Sequence, residues 1–303
     1  MGLPDCPGYA EFDTLHDDAA AWRPAIEALA ARHGAAAADV QQESEGTVLV
    51  ARLARERVLK VYPPFLRDHF DYERAMLAAL HGRLSVPTPE LLADGEHEGW
   101  PYLLMSQLAG EPLTATWPRM GEDERCALLR QLGTLAAEVH ALPVSAAAAA
   151  AAPPWAGFIA AQRARCVERH QRNGLPPQLL EQLPGFIDGN LPEGPPVLLT
   201  GEYTPFNLFT QEHRLAAMFD FGDGLVGPCQ YDWLGPHCFL VAGDRARSVA
   251  FMQGYGREAD GGDRLALLRL MLLHRYSNLR AQVKIEGWQR VRSFEELAVL
   301  MWP

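Results

Sequence analysis

The chain has 303 residues, 48% of them hydrophobic and 21% charged, which is the make-up of a soluble globular protein with one large or two modest domains. A net charge of −11 argues against a nucleic-acid partner, which needs clustered Lys and Arg, and admits a cationic substrate. No apolar run reaches the roughly 18 residues needed to cross a bilayer. Met1-Gly2-Leu3-Pro4-Asp5 also lacks the basic flank and apolar core of a signal peptide, so no membrane partner and a cytoplasmic location are expected.

In chain order, Asp17 or Asp18 caps a predicted helix over residues 19–32, which ends at Gly34. Three strand-like segments follow at 40–43, 47–53 and 57–62, with Gly46 and the polar stretch 52–57 as turns. Pro63-Pro64 stops the third. A helix over 66–81 then carries Phe70, Met76, Leu77 and Leu80 at helical spacing. Pro87, Pro89 and Gly95 frame a connection, with strands at 91–94 and 102–106. After Gly110-Glu111-Pro112 the pattern turns helical, first over 122–141. Residues 145–154, with seven consecutive alanines and two prolines, read as a loop or a short helical extension without chemistry. Helices are predicted at 158–172, 177–183, 231–242, 244–255 and 263–283, with a short one at 294–301. The five cysteines form no C-x-x-C pair, and their odd number fits reduced thiols. The sum is an α+β chain: a small β-rich part over residues 1–107 and a larger, mainly helical part over 108–303. A cleft between two such parts is a natural nucleotide site.

Lys60 stands alone in the apolar run Val58-Leu59-Lys60-Val61-Tyr62. On an edge strand, a lone lysine serves to discourage aggregation. Glu73 on the next predicted helix gives it a second reading, because kinases pair a strand lysine with a helix glutamate to hold the α- and β-phosphates. Ser44-Glu45-Gly46-Thr47 offers one glycine, and neither G-x-x-x-x-G-K-[ST] nor G-x-G-x-x-G stands near a strand. Walker-type and dinucleotide sites are therefore disfavoured. The most informative stretch is Leu198-Leu199-Thr200-Gly201-Glu202-Tyr203-Thr204-Pro205-Phe206-Asn207, followed by Phe219-Asp220-Phe221-Gly222-Asp223. A hairpin through 208–210 and 215–219 would gather Glu202, Asn207 and Asp220 around one point. Oxygen-bearing side chains so placed suit a hard cation and a phosphate.

These segments resemble the aminoglycoside phosphotransferase and choline kinase-like group, over about residues 40–240. The resemblance rests on the Lys60 strand, Tyr72 to Leu80, Val86-Pro87-Thr88-Pro89, Leu103 to Gly110, Leu132 to His140, the 200–207 segment, and Gly227-Pro228 with Tyr231-Asp232-Trp233. It implies a protein-kinase-like fold of two lobes, with ATP and Mg²⁺ as cofactors. Lys60 would bind the ATP phosphates and Glu73 orient it. The Ser106 carbonyl and Leu108 amide would bond adenine, and Asn207 and Asp220 would hold Mg²⁺. Glu202 would act on the acceptor hydroxyl, and Asp232 would be structural. The family pattern H-G-D-x-x-x-x-N here begins Thr200-Gly201-Glu202, so threonine replaces histidine and glutamate replaces aspartate. Unperturbed pKa values differ by only about 0.4 between these acids, so the change is one of reach. The implied activity moves the γ-phosphate of ATP to a hydroxyl of a small cationic molecule, an aminoglycoside-type antibiotic first. A nucleotide-binding pseudo-kinase, or a kinase of an amino alcohol, sugar or macrolide, are the alternatives. Asp223, Glu286, Glu295 and Glu296 are acids available to an acceptor pocket, and Tyr276 and Trp288 are aromatics that could stack on it. Taken singly, each reads as well as a solvent-facing acid or a core anchor.

Overall fold

Alternation along the strands decides what the first sheet presents to each side. The computed structural model describes residues 3–43, 46–54, 56–201, 203–258 and 263–303. β1 (Gln41–Gln42), β2 (Leu49–Leu53), β3 (Arg57–Val61), β4 (Leu91–His97) and β5 (Trp100–Ser106) pair in the order β1-β2-β3-β5-β4, every neighbouring pair antiparallel. Successive side chains of a strand face opposite sides. Leu59 and Val61 of β3 and Trp100, Tyr102 and Leu104 of β5 therefore share one core with Phe12 of α1 (Tyr9–Asp17) and with Trp22, Ile26 and Leu29 of α2 (Ala19–Arg32). Leu103 and Met105 share the opposite core with Phe70, Met76, Leu77 and Leu80 of α3 (Arg67–Leu80). Lys60, between Leu59 and Val61, lies on this α3 side.

Asp18 caps α2 as expected, its carboxylate accepting from the Ala21 amide at 3.3 Å. Helix α1 is not legible in the sequence, because it buries only Phe12 and Leu15 and so carries no apolar stripe.

Beyond residue 113 the chain is mainly helical. The helices Glu122–Ala141 and Arg245–Tyr255 touch backbone to backbone. A Cβ on Gly133 would lie 2.1 Å from the Phe251 carbonyl oxygen, and one on Gly254 would lie 2.0 Å from that of Arg130. Two small sheets interrupt the helices. β7 (Val197–Leu199) pairs with β10 (Leu225–Gly227). β8 (Leu208–Gln211) pairs with β9 (Arg214–Met218), and β6 (Glu111–Pro112) lines the other edge of β8. The β8–β9 hairpin turns at Glu212 and His213, with φ of 49° and 60°, the doubly left-handed turn that matches strand twist. Tyr72 on α3 ties the halves together: its hydroxyl donates to the Leu199 carbonyl at 3.0 Å and also to that of Leu225.

Of the two readings of the alanine run, the helical one holds: it forms the helix Ala146–Ala151, with Ser145 as its cap. The structure departs from the predicted helices in three places. The helix predicted over 177–183 is only Pro177–Leu180, with a second short helix at Leu183–Ile187. The 231–242 segment is helical over Gln230–Pro236 and then widens into a π-turn over His237–Val241, ending at left-handed Ala242. The predicted helix over 263–283 stops at Leu272, and only Leu279–Gln282 resumes it. Asn278 caps that last turn. In the intervening stretch Arg275 and Tyr276 leave the helix for tertiary partners. Among the described residues all five cysteines are unpaired, and no single helix is long and apolar enough to cross a membrane.

Candidate active site

Lys60 reaches across from β3 to α3. Its ammonium donates to both Glu73 oxygens, at 2.9 and 2.7 Å, and to Asp220 Oδ1 at 2.9 Å. Glu73 is only 1% exposed, and the Tyr62 hydroxyl donates to the same carboxylate. A buried charge is tolerable only when paired in this way. Burial alone would lower the Lys60 pKa, but Asp220 and Glu73 outweigh it and raise the pKa above the ordinary lysine value. The ammonium therefore stays charged at neutral pH. Asp220 keeps 42% of its side chain exposed, so its carboxylate remains open on the side away from Lys60.

The β8–β9 hairpin brings Asn207 and Asp220 together. At its open end the Phe219 amide donates to the Asn207 carbonyl at 3.1 Å. Asp220 sits at φ +68°, a left-handed conformation that costs a non-glycine residue free energy and turns its side chain out of the strand register. Asn207 is 6% exposed. An amide oxygen and a carboxylate are hard ligands. Two such groups, completed by phosphate and water oxygens, are the donor set Mg²⁺ takes in phosphoryl-transfer sites. The residues present thus fit the ion.

Segment 200–207 is held from below by Asp232, which is 1% exposed. Its carboxylate accepts from the Thr200 amide at 3.0 Å, the Gly201 amide at 2.9 Å and His140 Nε2 at 3.0 Å. Thr200, in the place of the family histidine, adds its own hydroxyl at 3.4 Å. Gly201 is required as glycine: φ is +81°, and a Cβ there would lie 2.6 Å from the Asp223 carbonyl oxygen. Glu202 lies outside the described residues.

Asp223 is engaged by three donors from distant segments. They are His69 Nδ1 of α3 at 3.1 Å, Arg275 Nη1 at 3.2 Å and the Tyr276 hydroxyl at 2.6 Å. Arg275 also donates to His69 Nε2 at 3.1 Å, which leaves the imidazole proton on Nδ1 for Asp223. Burial alone would raise the Asp223 pKa, but these donors hold it down to about 2. The other groups considered for an acceptor pocket lie elsewhere. Trp288 is 1% exposed and part of the core. Glu286 is exposed. Glu295 and Glu296 occupy the first turn of the helix Phe294–Met301, where Glu296 accepts from the Arg292 amide. Ser106 ends β5 opposite Arg57, and Leu108 is half-buried in the linker from β5 to β6.

Sequence reasoning missed Tyr62, His69 and Arg275. Two signals were present. Tyr62 follows Lys60 by one strand period, and His69 precedes Glu73 by one helical turn. Arg275 left no signal.

The model of the phosphotransferase enzyme family matches residues 39–268. The structure is similar to a point mutant of aminoglycoside 2'-phosphotransferase-IIIa in complex with GDP, at 20% identity over 80% of this chain and 85% of that one, with a TM-score of 0.62. It is similar to ADP-bound aminoglycoside phosphotransferase APH(2'')-Ib, at 18% identity over 94% and 97% of the two chains, with a TM-score of 0.61. It is also similar to macrolide 2'-phosphotransferase MphH from Brachybacterium faecium, at 24% identity over 83% and 88%, with a TM-score of 0.58. No curated protein matches the sequence. At these identities the structural likeness carries the fold, α+β with two protein-kinase-like lobes, while the family model spans most of the chain, from β1 to the helix Arg264–Leu272. The protein belongs to the phosphotransferase enzyme family and is a small-molecule kinase.

Proposed function

We propose that the chain transfers the γ-phosphate of ATP to a hydroxyl of a small molecule, with residues 1–107 holding the nucleotide and 108–303 carrying the acceptor. One observation carries this reading: the buried Lys60 ammonium is shared between Glu73 and Asp220. Lys60 would hold the phosphates and Glu73 would keep it aimed. Ser106 and Leu108 would present main-chain groups to the base. Asn207 and Asp220 would hold Mg²⁺, which when bound neutralises charge building on the transferring group. Glu202 would orient the acceptor hydroxyl and take its proton. Its extra methylene calls for an acceptor set slightly farther back than an aspartate would need. The ADP and GDP complexes of the structural neighbours support a nucleotide substrate, and their aminoglycoside and macrolide activities support a hydroxylated acceptor.

The acidity of the chain favours a cationic, aminoglycoside-type acceptor. The acid next to the metal loop, Asp223, is however already neutralised by Arg275 and hydrogen-bonded by His69 and Tyr276. The test is ADP release from Mg-ATP, and separately Mg-GTP, across aminoglycosides, macrolides and amino alcohols, with Asp220→Ala as the blank. Acceptor-dependent release that the blank lacks is expected. Release equal in the blank would refute the reading, and nucleotide binding without turnover on any acceptor would favour a pseudo-kinase.

A further inference from the structure

We infer that Asp223 is a positioning residue for phosphoryl transfer: gripped by His69, Arg275 and Tyr276, it fixes the loop after β9 against α3 and so aims Asp220 at the ion and the phosphates. This rests on the phosphotransferase reading above and gives a role to side chains outside the Lys60, Glu73 and Asp220 set.

Asp220 needs such help. Its left-handed backbone, at φ +68°, is a conformation that persists in a non-glycine residue only where the surroundings impose it. Lys60 engages the carboxylate from one side, but 42% of the side chain is exposed, so close packing does not hold it. The constraint comes from the loop that follows, which lies flat on α3. A Cβ on Gly222 would come 3.3 Å from Glu73 Oε2 and 3.5 Å from His69 Cβ, and one on Gly224 would overlap the Tyr72 ring. His69, Tyr72 and Glu73 stand at i, i+3 and i+4, so a single face of α3 meets the loop. Only Phe221, which is fully buried, and Gly222 separate Asp220 from Asp223. Any slide of Asp223 along α3 is therefore passed to Asp220.

The grip on Asp223 converges on one atom. His69 Nδ1 at 3.1 Å, Arg275 Nη1 at 3.2 Å and the Tyr276 hydroxyl at 2.6 Å all meet Oδ1. The side chains of His69, Arg275 and Asp223 are 13%, 17% and 18% exposed, so these bonds are little screened. The donors are themselves fixed. The Arg275 guanidinium lies over the Phe158 ring at 5.7 Å and donates to His69 Nε2 at 3.1 Å. The Arg275 amide donates to the Tyr231 hydroxyl at 3.3 Å, and the Gln282 side-chain amide donates to the Tyr276 carbonyl at 3.0 Å.

Its place in the fold separates this grip from an ordinary stabilising contact. A bond that only joined the two halves could sit anywhere along α3. This one sits one helical turn before Glu73 and three residues beyond Asp220, the two acids that share the Lys60 ammonium. Groups that hold a metal-side carboxylate from behind in this way typically govern metal affinity by about 10–100-fold.

The test is calorimetric binding of the β,γ-imido analogue of ATP to the full chain, once with Mg²⁺ and once with EDTA. The ratio of the two affinities reads how well Asp220 is placed for the ion, and the metal-free affinity reads the other nucleotide contacts. Mg²⁺ should tighten binding to the wild type. Asp223→Ala should cut that gain about tenfold or more and leave the metal-free affinity unchanged. Asp223→Asn, which keeps an acceptor at Oδ1, should recover part of the loss. Tyr276→Phe removes one donor from a ring that is 36% exposed, so the fold survives, and should lower the gain severalfold. A full gain in Asp223→Ala, or equal weakening with and without Mg²⁺, would overturn the inference and leave the kinase reading standing. So would an asparagine variant no better than alanine. Should Asp223→Ala fail to fold, Tyr276→Phe decides: a reduced gain supports the inference and an undiminished one overturns it. Wild-type protein without Mg²⁺-dependent binding would instead remove the kinase reading, and the inference with it.

Discussion

Replacing Asp232 by asparagine removes one charge and one acceptor from beneath the 200–207 segment while keeping the shape of the side chain. Oδ2 serves both the Thr200 amide and His140 Nε2, each at 3.0 Å, and Oδ1 serves the Gly201 amide at 2.9 Å. Asparagine has one oxygen to offer. Placed at Oδ2, it keeps Thr200 and His140, but its NH₂ then faces the Gly201 N–H donor to donor. Placed at Oδ1, it abandons two donors. The better orientation loses one hydrogen bond to a charged acceptor, about 1.5–3 kcal/mol, and strands a buried N–H at about 1–3 kcal/mol. The two losses overlap, so the net destabilisation is about 2–4 kcal/mol. For a chain of this size about 1 kcal/mol moves the melting temperature by about 2 °C, so Asp232→Asn should melt about 4–8 °C lower. The displaced segment should also cost catalysis. A misplacement of about 1 Å lowers turnover about 10²-fold, whereas KM for ATP should hold, because Lys60, Glu73 and Asp220 make no contact with Asp232 among the bonds described. Calorimetry and steady-state kinetics on one preparation read both effects. Wild-type melting and wild-type kcat in Asp232→Asn would refute the claim that this carboxylate positions the segment. A rise in KM for ATP at unchanged kcat would refute the division of labour.

Glu202→Gln should retain the thermal shift produced by Mg-ATP and lose most turnover; full turnover would remove Glu202 from the proton-accepting role. Asp220→Ala should abolish the Mg²⁺-dependent part of ATP stabilisation, and a shift as large as wild type would refute the metal assignment. Lys60→Met should destabilise the fold by about 3–5 kcal/mol, because it leaves the 1%-exposed Glu73 carboxylate without its ammonium. The double variant with Glu73→Gln should recover part of that loss in urea midpoints, and no recovery would contradict the pairing. Stability should also fall with acid. His170 and His237, each 1% exposed, have pKa values lowered by burial to about 4, although each also hydrogen-bonds a carbonyl, of Leu272 and Trp233. A histidine depressed in the folded state is protonated first in the unfolded chain. Its contribution is therefore complete above the unfolded value near 6.5 and is lost as pH falls toward 4. That amounts to about 2 kcal/mol per histidine between pH 7 and pH 5. Equal urea midpoints at the two pH values would show that these imidazoles are not buried neutral.

What the sequence discloses about the site follows the range over which its signals act. Lys60 is legible because a strand shows its two faces at alternate positions, so a polar residue between Leu59 and Val61 must point away from their core. Glu73 is legible only beside Lys60: alone it reads as a solvated helix residue, and its place on the helix that directly follows the lysine strand is what gives it a partner. The hairpin that carries the proposed metal ligands is legible because two apolar segments flank a turn and end in Asn207 and Asp220. The clasp on Asp223 is another matter. His69, Asp223, Arg275 and Tyr276 come from three remote segments, and no local pattern links them. The same contacts explain why the apolar periodicity over 263–283 misleads: it predicts an unbroken helix, while Arg275 and Tyr276 depart from it to reach Asp223, on the loop that follows β9. The net charge of −11 averages over the whole surface. It includes acids such as Glu286, which is exposed, and Glu295 and Glu296, which occupy the first turn of the helix Phe294–Met301. A bulk charge steers what approaches a protein. What is held at a site is set by the side chains that face it, and the acid on the loop after β9, Asp223, is already answered by Arg275, His69 and Tyr276.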